Sequence, residues 1–118
     1  MPEQVVYVDR FQLQAGRSED FKRFATEVAA FVEENEPGVT SFNYYLDQDG
    51  ARGTALFVFA DADAMDVHLG LLSSRFQEGY ELLSATEIEL LGHPSERATQ
   101  MAASYNASIK TKIAGFTR

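Results

Sequence analysis

The sequence predicts a single α+β domain in the order strand–helix–strand–strand–helix–strand, followed by a short helix and a further strand. Three observations carry this. Apolar, β-branched runs of strand length are separated by two stretches whose apolar residues recur at helical spacing. Turn residues punctuate every boundary. No internal repeat, low-complexity tract or long linker interrupts the 118 residues, which fit one domain with a modest core.

Residues 5–13 (VVYVDRFQL) read as the first strand. Ala15-Gly16-Arg17 turns the chain, and Ser18 is placed to cap a helix in which Phe21, Phe24, Val28, Phe31 and Val32 share a face. Glu19 and Asp20 favour its positive N-terminal end, and Pro37-Gly38 stop it near residue 35. Two strands follow, 39–47 and 53–60, joined through Asp49-Gly50, a hairpin turn signal. Asp61 or Asp63 opens a second helix that carries Met65, Leu69, Leu72 and Phe76 on one stripe to about Gly79. Residues 85–91 give the fourth strand. Pro94-Ser95 starts a short helix to about Tyr105, and the alternation in the 107–117 tail predicts an added edge strand.

This order is the ferredoxin-like βαββαβ arrangement, with right-handed crossovers placing both long helices on one face of an antiparallel sheet. The core spans 4–91 and the helix–strand extension 94–118. An antiparallel sheet with one wet face alternates apolar and polar residues. Val5-Val6-Tyr7-Val8 and Ala55-Leu56-Phe57-Val58-Phe59 are apolar on both faces instead. A second copy of the sheet is the simplest cover, so a homodimer is expected.

Composition narrows the function classes. A net charge of −8 with ten scattered basic residues argues against nucleic-acid binding. The chain has no cysteine, and its two histidines lie 25 positions apart without metal-ligand spacing, so no metal site is expected. No apolar run approaches a membrane span of about 18 residues, and Met1-Pro2-Glu3-Gln4 lacks signal-peptide character. A cytoplasmic location is the expectation. Phosphate loops, nucleophile elbows and HExxH are absent.

His68 is the most suggestive residue. Three after Met65 and four before Leu72, it falls on the buried stripe of the second helix. It is either a core histidine satisfied by neighbours or a proton shuttle or donor in a pocket between helix and sheet. His93, beside Pro94, reads as a loop residue. Asn43 and Tyr45 share one face of the second strand and Tyr44 the other. Each reads as an ordinary strand residue or as a hydrogen-bonding partner for a ligand. The charged pair Asp9-Arg10 interrupts an apolar strand and points to opposite faces, so that one of the two reaches a pocket or the dimer seam, or the pair is simply exposed near the strand end.

Together, Glu36-Pro37-Gly38-Val39-Thr40-Ser41-Phe42-Asn43-Tyr44-Tyr45 and Asp61-Ala62-Asp63-Ala64-Met65-Asp66-Val67-His68-Leu69 resemble the antibiotic biosynthesis monooxygenase family of the dimeric α/β-barrel superfamily. The resemblance implies cofactor-independent oxidation of a small phenolic or quinol-type aromatic by O₂, without metal, flavin or haem. It aligns His68, the catalytic candidate, with the helix-two histidine common in relatives; Arg10, Asn43, Tyr44, Tyr45 and Phe76 are the substrate-binding candidates. Arg75-Phe76 stands where many relatives carry a second histidine before a Phe. The chain has no tryptophan, the pocket residue of haem-degrading relatives. The competing reading is a non-catalytic dimeric domain of the same fold that binds a small ligand, in a stress response for example. A pocket with convergent polar groups favours ligand chemistry, and a filled core favours the structural role.

Overall fold

The computed structural model describes residues 3–118; the reading at Met1-Pro2 lies outside them. Strands β1 (Val5–Leu13), β2 (Val39–Leu46), β3 (Arg52–Phe59), β4 (Leu83–Leu91) and β5 (Ser108–Lys110) form one sheet in the order β2-β3-β1-β4-β5. Helices α1 (Ser18–Asn35), α2 (Ala62–Tyr80) and α3 (Glu96–Ser104) complete the chain. The first four strands pair antiparallel, which is the ferredoxin-like sheet expected from the element order. The added edge strand is only three residues long and pairs parallel to β4, so the sheet is mixed. The reason is the α3 crossover: a chain that passes through a helix re-enters its sheet in the direction it left.

Local chemistry sets the boundaries. Asp61 caps α2 by accepting from the Ala64 N–H at 2.8 Å, and Ser95 caps α3 by accepting from Ala98 at 3.0 Å. Ser95 also donates to Asp66 at 2.7 Å, tying the start of α3 to α2. Ser18 does not cap α1. The cap position falls to Arg17, which makes no side-chain cap and instead pairs with Asp20 at 2.7 Å. Ser18 packs toward the β2–β3 loop, where a Cβ on Gly50 would lie 2.6 Å from its hydroxyl. Pro37 disfavours helical geometry at Glu36 and ends α1 there, as the sequence predicts.

The core lies between the helices and one sheet face. Phe21, Ala25, Val28 and Val32 of α1 and Met65, Leu69 and Leu72 of α2 are buried against Val5, Phe11, Phe57, Phe59 and Leu90. The helices meet closely at Gly79, where a Cβ would stand 2.6 Å from the Phe24 ring. Any side chain there would push α2 off α1.

On the opposite face the apolar character persists. Val8 is buried to 9% exposure although it belongs to neither helix-side cluster, and Val6, Leu56, Val58 and Leu91 around it are half-buried. Polar groups rim this patch: Arg10 and Lys110 both pair with Glu89, and Asn43 donates to Ser41. No helix is long and apolar enough to cross a membrane among the described residues.

Candidate functional site

A cavity of about 170 Å³ opens between the sheet and the three helices. It is larger than the roughly 150 Å³ that holds one benzene ring in an engineered core. Its walls are apolar and rich in phenylalanine and tyrosine. Phe42 and Phe57 stack at 3.8 Å between ring centroids, and Tyr7 stacks on Phe57 at 5.0 Å. Tyr80, which is exposed, and Tyr105, 5.4 Å from it, line the α2–α3 side.

His68 is the polar centre of one end. It is 5% exposed, with Phe59 and Phe42 at 5.3 and 5.5 Å and Phe57 and Phe76 at 6.1 and 6.4 Å between centroids. Its Nδ1 lies 2.9 Å from Glu36 Oε1. Glu36 is 3% exposed, and its Oε2 has no hydrogen-bond partner among the described residues. Glu36 is held by backbone bonds on both sides: its N–H donates to Val32 at 2.9 Å and its carbonyl accepts from Val39 at 3.0 Å. The close approach of Gly38 to Ala64, where a Cβ would lie 2.7 Å from the Ala64 methyl, brings this segment against the first turn of α2.

Burial pushes both partners toward their neutral forms. The imidazole is lowered from 6.5 to about 4, and the Glu36 carboxyl is raised above its ordinary value. His68 is therefore neutral near pH 7. With Glu36 ionised, Nδ1–H donates to the carboxylate and Nε2 keeps its lone pair. His68 lines the cavity and Glu36 does not. The other ring nitrogen, Nε2, makes no hydrogen bond among the described residues. A base held by a carboxylate behind it, with its free nitrogen toward an apolar space, can take a proton from a weakly acidic ligand; the carboxylate then steadies the imidazolium.

The depressed histidine has a consequence for stability. The unfolded chain binds this proton near 6.5 and the folded chain only near 4, so the contribution is complete above 6.5 and lost as pH falls toward 4. His68→Gln keeps a donor for Glu36 and removes the titration. Wild type is expected to lose stability relative to that variant over this window in thermal unfolding. Parallel curves would show that His68 titrates alike in both states.

At the other end of the cavity, the Asp9 carboxylate accepts from Thr86 Oγ1 and, at 3.3 Å, from the Tyr7 hydroxyl. Burial raises its carboxyl, and these hydrogen bonds partly offset the rise. Burial, then the Asp9 charge, pushes both the Tyr7 and Tyr44 phenols up, so both stay protonated as donors.

The structure divides the residues singled out in the sequence. His68, Tyr44 and Phe76 line the cavity. Asn43, Tyr45 and Arg10 do not: they lie on the opposite face of the sheet, where Tyr45 is 55% exposed and the Arg10 side chain 59%. The strand period decides this, because Phe42, Tyr44 and Leu46 take the helix side and their neighbours must face away. His93 is exposed and pairs with Glu3 at 2.9 Å. Sequence reasoning missed Glu36 as the partner of His68, although Glu36-Pro37-Gly38 carries the resemblance. It also left open which of Asp9 and Arg10 turns inward. Among the described residues no three His, Asp or Glu side chains cluster as metal ligands would.

No family model and no curated protein sequence matches the chain. Solved structures do. MupZ from Pseudomonas fluorescens is 20% identical with a TM-score of 0.81 over 98% of this chain and 95% of that one, a span that includes the α3–β5 extension. SnoaB, a cofactor-independent oxygenase from Streptomyces nogalater, is 22% identical with a TM-score of 0.65 over 78% and 94%. A candidate antibiotic biosynthesis monooxygenase from Caulobacter crescentus is 20% identical with a TM-score of 0.69 over 80% and 92%. The chain thus has the ferredoxin-like fold of the antibiotic biosynthesis monooxygenase-like proteins.

Proposed function

We propose that the chain is a cofactor-independent monooxygenase acting on a small phenolic or quinol-type aromatic. One observation carries the reading: His68 lines the cavity, boxed by four phenylalanines, with Nδ1 on the buried Glu36 and Nε2 unpaired among the described residues. His68 removes the phenolic proton, and Glu36 stabilises the imidazolium that forms. The electron-rich anion reacts with O₂ at a ring CH₂ or its enol equivalent to give a hydroperoxide, which loses water. The balance is R₂CH₂ + O₂ → R₂C=O + H₂O: one oxygen atom enters the product, the other leaves as water, and the substrate supplies all four electrons. The aromatic walls hold the ring and keep bulk water out. Likeness in fold to an oxygenase supports this reading but does not carry it.

Oxygen uptake with a panel of dihydroxyaromatics, together with product mass, tests the reading. Gain of one oxygen with loss of two hydrogens is expected. Tight binding without turnover across the panel would favour the binding domain instead.

The same reading includes a two-fold dimer through the apolar sheet face around Val8, with the Arg10–Glu89–Lys110 ion pairs at its rim. A specific contact of this kind buries at least about 1,200 Å² in total. Sedimentation is expected to give a dimer at micromolar concentration, and Val8→Lys a monomer. A wild-type monomer at high concentration would remove the dimer.

A further inference from the structure

Asp9 occupies a place that a filled core would give to Val or Leu. It lies on the helix side of β1 between Tyr7 and Phe11, 7% exposed, in register with Ala55 and Ile88, which both line the cavity. A buried carboxylate is costly without a cation, and Asp9 takes part in none of the ion pairs among the described residues. Its partners are the Thr86 and Tyr7 hydroxyls, the latter at a long 3.3 Å, and the Glu87 backbone. A carboxylate accepts about four hydrogen bonds, so capacity remains. Arg75, the sole cation lining the cavity among the described residues, is engaged by Glu27 and Glu78 and lies over the Phe24 ring.

The cavity therefore has two acceptor poles. His68 packs on Phe57 and Phe59, and Asp9 stands across from Ala55. Two to four residues along one strand separate them, about 7–13 Å. A six-membered ring with a hydroxyl at each end, plus a hydrogen bond of about 2.8 Å at either side, spans that gap.

Resting on the proposed function, we infer that Asp9 is a specificity-determining binding residue which accepts a hydrogen bond from a second hydroxyl, so that the cavity takes neutral aromatics with hydroxyls at opposite ends. An anion in the second position would face Asp9 with no cation to offset it, and is rejected.

Hydroquinone and 4-methylphenol test this, because they have nearly the same shape and differ only in the second hydroxyl. Titration calorimetry on the wild-type protein is expected to favour hydroquinone by about tenfold, the worth of one hydrogen bond to a charged acceptor. 4-Hydroxybenzoate is expected to bind at least about tenfold more weakly than hydroquinone, for the same reason. Asp9→Leu should invert the preference toward 4-methylphenol, and Asp9→Asn, which keeps an acceptor but not the charge, should fall between them. A wild-type preference for 4-methylphenol, or a hydroquinone preference unchanged in folded Asp9→Leu, overturns the inference and leaves the function of His68 standing. If Asp9→Leu does not fold, the wild-type ratio and Asp9→Asn decide. Binding of none of the three compounds removes the aromatic-ligand reading and this inference together.

Discussion

Replacing His68 with alanine is expected to cut turnover of a quinol-type substrate by about 10²–10⁴-fold, the usual worth of a positioned acid–base group. Activity is the first readout, and oxygen consumption gives it directly. The variant also strands Glu36, whose carboxylate loses its one side-chain partner among the described residues. A destabilisation of roughly 1–3 kcal/mol should accompany the loss of rate. His68→Gln separates the two effects, because the amide can still donate to Glu36 but cannot serve as a base. A rate as low as that of the alanine variant with wild-type thermal stability is the expected result. Unchanged turnover in a folded His68→Gln would exclude His68 as the base and leave it as a core residue. The acid limb of the wild-type rate profile should lie near the lowered imidazole value of about 4 and not at 6.5, since the neutral ring is the active form.

The largest effect on stability is expected from Phe59→Ala. Phe59 is 1% exposed, pairs with fully buried Val5 on β1 and with Val39 on β2, and supports the His68 ring at 5.3 Å. Truncating a phenylalanine in such a place costs about 3–5 kcal/mol in lost burial and residual cavity. That is a large part of the roughly 5–15 kcal/mol that holds a domain together. Thermal unfolding should show a drop of more than about 10 °C. Phe116→Ala is the contrast: with Phe116 77% exposed, the change should stay within about 0.5 kcal/mol. Equal shifts in the two variants would mean that the core does not lie where the packing puts it.

Periodicity and punctuation determined the element order, and with it the sheet, before any coordinates. Apolar residues at helical spacing predict α1 to within its observed bounds, but the buried stripe is Phe21, Ala25, Val28 and Val32: Ala25 joins it, and Phe31, read onto the same face, is exposed. The sequence also singled out His68, because a titratable residue on an apolar stripe breaks a pattern that is otherwise uniform. Boundaries governed by contacts across the chain were less legible. Ser18 has the chemistry of a cap, but its neighbour in space is Gly50 from a distant loop. β5 reads as a longer strand from its alternation, yet only Ser108–Lys110 meets the edge of β4.

The site shows the division most clearly. Strand alternation in the sequence established that Asn43 and Tyr45 oppose Tyr44, and that Asp9 opposes Arg10, because side-chain direction along a strand follows a period of two. Which face lies toward the helices is a property of how the sheet packs, and only the tertiary structure decided that Tyr44 and Asp9 turn inward. Glu36 and His68 lie 32 residues apart and meet because the α1 exit is pressed onto the start of α2. Local sequence encodes periods, caps and turns. A hydrogen bond between two buried side chains, one just past the end of α1 and one within α2, exists only once both are packed, and that packing is where the candidate site arises.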